Sequence, residues 1–430
     1  MSVLSDLRAA RKVIGNAVAS RSTRRALASR LGGRRAPAPG SVTIALYFAD
    51  AAVNLYQVRQ WYAPLAELAK SYGVAIITRS PSASLIMLDE SPVPVVYCRA
   101  VNDVEEFIEG QRIRIVFYVN QNTKNFQMFR YSRMWHVFIN HGESDKMYMT
   151  TNQFKAYDYA FVAGQAARDR LSRKLWDFDV DKRAIPIGRP QADHLGGEPP
   201  YTPDDRTVVL YAPTWEGDRP TAAYGSIATH GVALAAAVLA SPQHRLIYRP
   251  HPRSGVLDPA YRAANEQIIA AIGAANARDA GAQHVYDDGP EIGWQLGADV
   301  AITDISAMVY DRLATGRPIL VTLPLSPEAE LDEGGYLASA AWLTADDAPN
   351  VLEFVERVQH DEPALENLKF WADHHFGDTA PGAATARFHG AIERLFAEWE
   401  RNAALHADDE IDDDSGDALD DTDDEGMPGV

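Results

Sequence analysis

From residue 41 onward, short continuous apolar runs alternate with stretches whose apolar residues recur at helical spacing. "VTIALYF" (42–48) precedes a helix predicted around 55–72, then come "VAIIT" (74–78), "PVVY" (94–97) and a helix near 102–109. Apolar runs at 112–119, 136–140 and 158–164 and a helix ending near 174 close this half. A Pro- and Gly-rich stretch, "GGEPPYTPDD" (196–205), interrupts the pattern before it restarts. "TVVLYAP" (207–213), a helix near 230–240, "RLIYRP" (245–250) and a helix near 260–273 follow. "DVAIT" (299–303), a helix at 306–315 and "PILVTLP" (318–324) complete the second half. Runs that are apolar at every position read as strands covered on both faces, the mark of a parallel sheet with helical crossovers. The restart after 205 predicts two such α/β domains in tandem.

In an open parallel sheet, ligands bind beyond the carboxyl ends of the strands. Four strand ends carry chemistry: "HVFINHGESDK" with His141 and Lys146, "VVLYAPTWEGD" with Thr214 and Trp215, "RLIYRPHPRSG" with Arg249, His251 and Arg253, and "VAITDISAMVYD" with Asp304, Ser306 and Asp311. Taken singly each has a plain structural explanation, Ser306 as a helix N-cap above all. Taken together they suit a phosphate. Ser306 opens a helix directly after a strand, where unbonded N–H groups favour an anion. Arg249 and Arg253 supply forked donors, and Pro250 and Pro252 fix His251 between them. The glycine patterns of P-loops and dinucleotide sites are missing from the sequence. "DFDVD" (177–181) contains a DxD triplet of a kind that chance alone supplies.

Charge divides the chain into three regimes. The whole carries −18, but residues 1–35 hold nine Lys or Arg against Asp6, and residues 408–425 hold twelve Asp or Glu and no base. A body this acidic argues against nucleic acid as a partner, and the acidic tail reads as a solvated segment. If residues 1–19 are helical, Leu4, Leu7, Ile14 and Val18 share a stripe that Arg11 interrupts, suited to an anionic membrane surface. A disordered basic leader and a transit peptide remain open for the same segment. The longest apolar stretches fall short of the roughly 20 residues that span a bilayer. One cysteine, Cys98, leaves no internal disulfide to form.

"LYAPTWEG", "RPHP" and "TDISAMVYD", in this order and spacing and preceded by "NHGESDK", resemble the CDP-glycerol glycerophosphotransferases of teichoic acid synthesis. The resemblance runs from about residue 130 to 400. It implies a GT-B-like fold, two Rossmann-like domains facing a central cleft. The boundaries expected are a basic arm at 1–40, an N-terminal acceptor domain at 41–200 and a C-terminal nucleotide-donor domain at 201–380. A C-terminal helix at 381–405 and an acidic tail at 406–430 follow. It also implies transfer of glycerol phosphate from CDP-glycerol, or a related CDP-alcohol, to a hydroxyl of a lipid-linked polyol-phosphate or glycan acceptor, with release of CMP. His141 is then the general base and His251 a contact to the diphosphate. Thr214, Arg249, Arg253, Asp304, Ser306, Asp311 and Lys146 are substrate-binding residues. The expected location is the cytoplasmic face of the cell membrane, with residues 1–35 on the anionic surface. No cofactor is implied, and dependence on a divalent metal stays open.

Three departures from the family pattern stand out. Ala307 replaces a second serine, Glu216 stands where a basic residue is frequent, with Arg219 or Arg253 as candidates to compensate, and Glu143-Ser144-Asp145-Lys146 replaces Thr-Pro-Leu-Lys. The last of these places the acceptor's identity in question. Two other readings stay open: a glycosyltransferase or sugar-nucleotide epimerase of the same fold, and a non-catalytic nucleotide-binding member.

Overall fold

The structure, a computed structural model, describes residues 21–142, 151–194, 196–289, 293–329 and 335–407. The predicted helix at 1–19 and the acidic tail from 408 lie outside these residues, as does Lys146. Among the described residues, two parallel sheets follow one another along the chain. The first contains β1 (Ile44–Phe48), β2 (Val74–Thr78), β3 (Val95–Tyr97), β4 (Ile115–Tyr118), β5 (Trp135–Phe138), β6 (Tyr159–Val162) and β7 (Ala184–Pro186). Its order is β3-β2-β1-β4-β5-β6-β7. The second contains β8 (Thr207–Ala212), β9 (His244–Tyr248), β10 (Val285–Tyr286), β11 (Val300–Thr303), β12 (Ile319–Thr322) and β13 (Trp342–Leu343), ordered β10-β9-β8-β11-β12-β13. Strand order therefore reverses between β1 and β4 in the first sheet and between β8 and β11 in the second. Those two points are where a ligand crevice opens in such sheets.

The continuous apolar runs are explained by burial on both faces. Ile44, Leu46 and Phe48 pack with Val58, Trp61 and Leu65 on one side of β1, and Ala45 and Tyr47 pack with Val104 and Met128 on the other. The second sheet repeats the arrangement, with Val209 and Tyr211 facing Leu234, Val238 and Ile268, and Leu210 and Ala212 facing Leu296. The helix Ala383–Leu405 leaves the second sheet and returns to the first, where Phe388, Ile392 and Leu395 enter the same core as Ile44. The two halves are thus Rossmann-like units in the GT-B manner, cross-tied by the closing helix.

Some elements differ from the sequence pattern. The single helix expected at 55–72 is two, Tyr56–Arg59 and Tyr62–Leu68. Pro64, in the first turn of the second helix, has no N–H to offer the carbonyl of residue 60, so the second helix does not continue the first. The break turns Trp61 inward, where its indole Nε1–H donates to the Asn140 carbonyl at 2.6 Å. Strands β10 and β13 are two residues each, too short to leave a periodic signal. The helices Pro81–Glu90, Val351–His360 and Glu362–Phe376 also lie outside the predicted set. Part of the basic arm is docked: residues 21–31 are helical, Arg30 pairs with Asp89, and Arg34 donates to the Leu88 carbonyl. No helix of the described residues is long and apolar enough to cross a membrane.

Candidate functional site

The first half of the site forms where β1, β4 and β5 end. Asn140, just past β5, takes φ 55°, a left-handed turn that asparagine tolerates because its short side chain bonds locally. Its Nδ2 donates to the Gly142 carbonyl at 2.6 Å. This turn presents His141, whose Nδ1 lies 2.7 Å from the Val119 carbonyl at the end of β4. A carbonyl only accepts, so Nδ1 carries the hydrogen and Nε2 is the basic nitrogen of the neutral ring. The ring also meets Tyr56 edge-on, with centroids 5.7 Å apart.

The second half forms where β8, β9 and β11 end. The Thr214 N–H donates to Asp304 Oδ2 at 2.8 Å, joining the tips of β8 and β11 across the reversal point. Asp304 is wholly buried, and its carboxylate also accepts from the Ser226 N–H at 3.0 Å and the Thr322 hydroxyl at 2.6 Å. Burial pushes its pKa up to about 6, against the pull of the bonds from Ser226, Thr322 and Thr214. The residue expected to touch donor phosphates is therefore an anchor inside the fold, with no surface toward a ligand. Ser306 lies in the next turn and caps the helix Ala307–Leu313, its hydroxyl accepting from the Met308 N–H at 3.2 Å.

His251 is exposed on the loop after β9, and the Arg253 N–H donates to its Nδ1 at 3.1 Å. Here Nδ1 is the acceptor, so in the neutral ring Nε2 carries the hydrogen and is a donor. The loop is clamped along its length. Arg253 stacks its guanidinium 4.0 Å from the Trp215 ring. Glu216 accepts from the N–H groups of Gly255 at 2.9 Å, Leu257 at 2.7 Å and Asp258 at 3.1 Å. Burial raises the Glu216 pKa, yet the backbone bonds from its own amide and from Gly255, Leu257 and Asp258 outweigh it and hold the carboxyl below its usual value. Gly255 closes the turn at φ +76°, and a Cβ there would stand 2.6 Å from Arg262 Cα.

Two expected ligand contacts are turned elsewhere. Arg249 points away from His251 into an ion pair with Asp287 at 2.5 Å and donates to the Gly289 carbonyl at 3.0 Å. Asp311 is 5 % exposed and pairs with Arg189, so it ties the second half to the first. A buried Asp311 carboxylate needs a cation beside it, and Arg189 is that cation. Its pKa is raised by burial, with Arg189 opposing the shift. Asp179 and Asp181 of the DxD triplet cap the helix Val180–Arg183 and pair with Arg168 respectively. The structure gathers Thr214, Asp304, Ser306, His251 and Arg253 at one sheet's edge and His141 at the other's.

Several residues of this arrangement escape the motifs. Ser226, Tyr261 and Asp287 hold the loops from elsewhere in the sequence, the Tyr261 hydroxyl donating to the Thr214 carbonyl at 2.7 Å. Asp50 and Asn120 follow β1 and β4 directly, so the strand-end rule that marks His141 also points to them.

Comparison with curated protein sequences finds no match. Among solved structures, the wall teichoic acid polymerase TagF is similar at TM-score 0.51 and 13% identity, over 84% of this chain and 89% of that one. A variant of TagF aligns over 94% of this chain and 99% of its own at 13% identity and TM-score 0.52. A Listeria monocytogenes protein described as a UDP-N-acetylglucosamine 2-epimerase aligns at TM-score 0.54 and 15% identity, over 84% and 98%. At such identities these likenesses establish the fold, a GT-B pair of Rossmann-like halves. The model of the CDP-glycerol:poly(glycerophosphate) glycerophosphotransferase family matches residues 138–371, which is more than half of the chain and contains "NHGESDK", "LYAPTWEG", "RPHP" and "TDISAMVYD". The chain belongs to that family of glycerophosphotransferases.

Proposed function

We propose that this enzyme moves glycerol phosphate from CDP-glycerol to a hydroxyl of a lipid-linked, teichoic-acid-type acceptor and releases CMP. The observation that carries the reading is the opposite tautomers of His141 and His251, each set by a backbone partner. Transfer to an alcohol needs a base at the attacking oxygen and a donor at the leaving one. His141 Nε2 takes the proton of the acceptor hydroxyl as its oxygen bonds to the phosphorus that bears glycerol. The bond from that phosphorus to the bridging oxygen breaks, and its electron pair leaves with CMP. His251 Nε2–H, Arg253 and the Ser306 hydroxyl lie on the side where this charge grows. Asp304 and Thr214 hold the tips of β8 and β11 in place, and Arg189 with Asp311 couples the halves. A TagF variant has been soaked with CDPG, which is in keeping with the donor chosen here.

In this reading the first sheet's half, residues 41–200, serves the acceptor and the second's, 201–380, serves the nucleotide. Residues 1–35 hold the enzyme peripherally on the inner face of the membrane, where a lipid-linked acceptor is found.

CMP release from CDP-glycerol in the presence of a glycerophosphate-primed acceptor is the test. His141→Ala should lower turnover by at least about 100-fold, the usual scale of lost general-base catalysis, and leave CDP-glycerol binding intact. His251→Ala should weaken both binding and turnover. A His141 variant that keeps more than roughly a tenth of the activity ends the assignment.

A further inference from the structure

The two reversal points are built alike. In the second sheet, buried Asp304 joins the tips of β8 and β11. In the first, Asp50 follows β1 and joins it to the tip of β4: Asn120 Nδ2 donates to Asp50 Oδ2 at 3.4 Å. The difference lies in exposure, since Asp50 is only partly covered. Its carboxylate accepts from the Ala51 N–H at 2.7 Å and from Asn54 Nδ2 at 2.8 Å besides Asn120. A carboxylate offers about four acceptor positions, so one remains for a ligand.

Asn120 is itself fully engaged. It also donates to Gln57 Oε1 at 2.8 Å and accepts from the Asn122 N–H at 3.2 Å. Gln57 Nε2 in turn donates to the Tyr56 hydroxyl at 3.2 Å, which leaves the Tyr56 O–H as a donor. Tyr56 is 50 % exposed and its ring rests on His141. Val119, which fixes His141 Nδ1, is the neighbour of Asn120. The network thus ends in a partly exposed carboxylate acceptor and an exposed phenol donor, and its Tyr56 ring packs against the ring of His141.

We propose that Asp50 and Tyr56 bind the terminal diol of the acceptor and deliver its attacking hydroxyl to His141, with Asn120 and Gln57 as positioning residues. The inference rests on the reading of His141 as general base. A carboxylate repels a phosphate but accepts from an alcohol, and a phenol donates to one. The acceptor is therefore read by its uncharged end, and its phosphates lie away from this rim.

Two soluble acceptors test this. One is an alkyl-linked glycerophosphate ending in glycerol; the other ends in propane-1,3-diol and lacks the secondary hydroxyl. The wild type should prefer the first by about tenfold or more in kcat/KM, the scale of a lost hydrogen bond to a charged group. Asp50→Ala should raise the KM for the glycerol-ended acceptor by a similar factor, leave the KM for CDP-glycerol unchanged and abolish the preference. Tyr56→Phe, which keeps the ring against His141, should lose part of the preference. Asp50→Asn keeps the shape, removes the charge and turns one acceptor oxygen into a donor, and should behave like Ala in discrimination while an unchanged KM for CDP-glycerol shows that the fold is kept. Equal use of both acceptors by the wild type overturns the proposal, as does an Asp50→Asn enzyme that discriminates normally. A wild type that turns over CDP-glycerol but ignores the diol sinks this inference alone. One that releases no CMP with either acceptor sinks the proposed function with it.

Discussion

A histidine's role here is set by what its Nδ1 meets, a carbonyl at Val119 for His141 and an amide N–H at Arg253 for His251. The residue type is the same, and only the partner leaves Nε2 without the hydrogen in one neutral ring and with it in the other. Asp304 makes a comparable point about charge. Burial raises its pKa from 3.8 to about 6, so the folded protein holds this proton more tightly than the unfolded chain. The resulting contribution to stability is complete below pH 3.8 and is lost as pH rises through 6. Asp304→Asn keeps a group of the same shape and does not titrate. Measured against the wild type by denaturant melts, the variant should gain about 2 kcal/mol between pH 4 and pH 7, because each tenfold difference in proton affinity is worth about 1.4 kcal/mol. A constant difference across that range would show that Asp304 does not titrate in the fold. The motif made Asp304 visible in the sequence, but as a ligand contact. Its anchoring role needed the positions of Thr214, Ser226 and Thr322, three residues from three separate segments.

At the scale of the element, the loop from Arg249 to Asp258 owes its shape to residues outside it. Asp287 draws Arg249 aside, Trp215 receives Arg253, and Glu216 gathers three backbone N–H groups. Glu216 stands where the family pattern favours a base, and the exchange has a physical reason: a carboxylate can bind three amides and a cation cannot. Glu216→Ala leaves these amides to water and lets His251 wander. CMP binding should weaken by about tenfold, the scale of one or two lost hydrogen bonds to a charged group, with Glu216→Gln falling between. Calorimetry with CMP checks this, and an alanine variant that binds as the wild type would leave the clamp without a function. The prolines in "RPHPR" foretold a rigid loop. They could not foretell that the loop's second half is held from a different strand end.

Across the whole molecule, the halves are joined by the buried Arg189–Asp311 pair and by a final helix that returns to the first sheet. Gly164 takes part in the same seam, because a Cβ there would collide with the backbone at His375. The ends of the chain carry opposite charge, +8 over residues 1–35 and −12 over 408–425. If the arm serves as a surface anchor, deleting residues 1–35 should reduce co-sedimentation with anionic vesicles and activity on a lipid-linked acceptor, while activity on a soluble acceptor is kept. The difference should shrink with salt as the Debye length falls to about 8 Å near physiological ionic strength. Equal vesicle binding with and without the arm would refute the anchoring role. Arg30 and Arg34 are already engaged on the helix Pro81–Glu90, so the other basic residues of the arm carry most of that role.

The sequence alone determined ten of the thirteen strands among the described residues, because a strand buried on both faces is apolar at nearly every position, whereas β7, β10 and β13 are too short to leave that signal. It also determined the tandem α/β plan and the motifs that mark the strand ends of the site, since a parallel sheet places its chemistry immediately after its strands. Only the tertiary structure decided which nitrogen of each histidine carries the hydrogen, which arginine is drawn into an ion pair and which aspartate is an anchor. Those outcomes depend on partners such as Val119 for His141, Asp287 for Arg249 and Arg189 for Asp311, each distant in sequence and brought within hydrogen-bonding reach by the order of the strands.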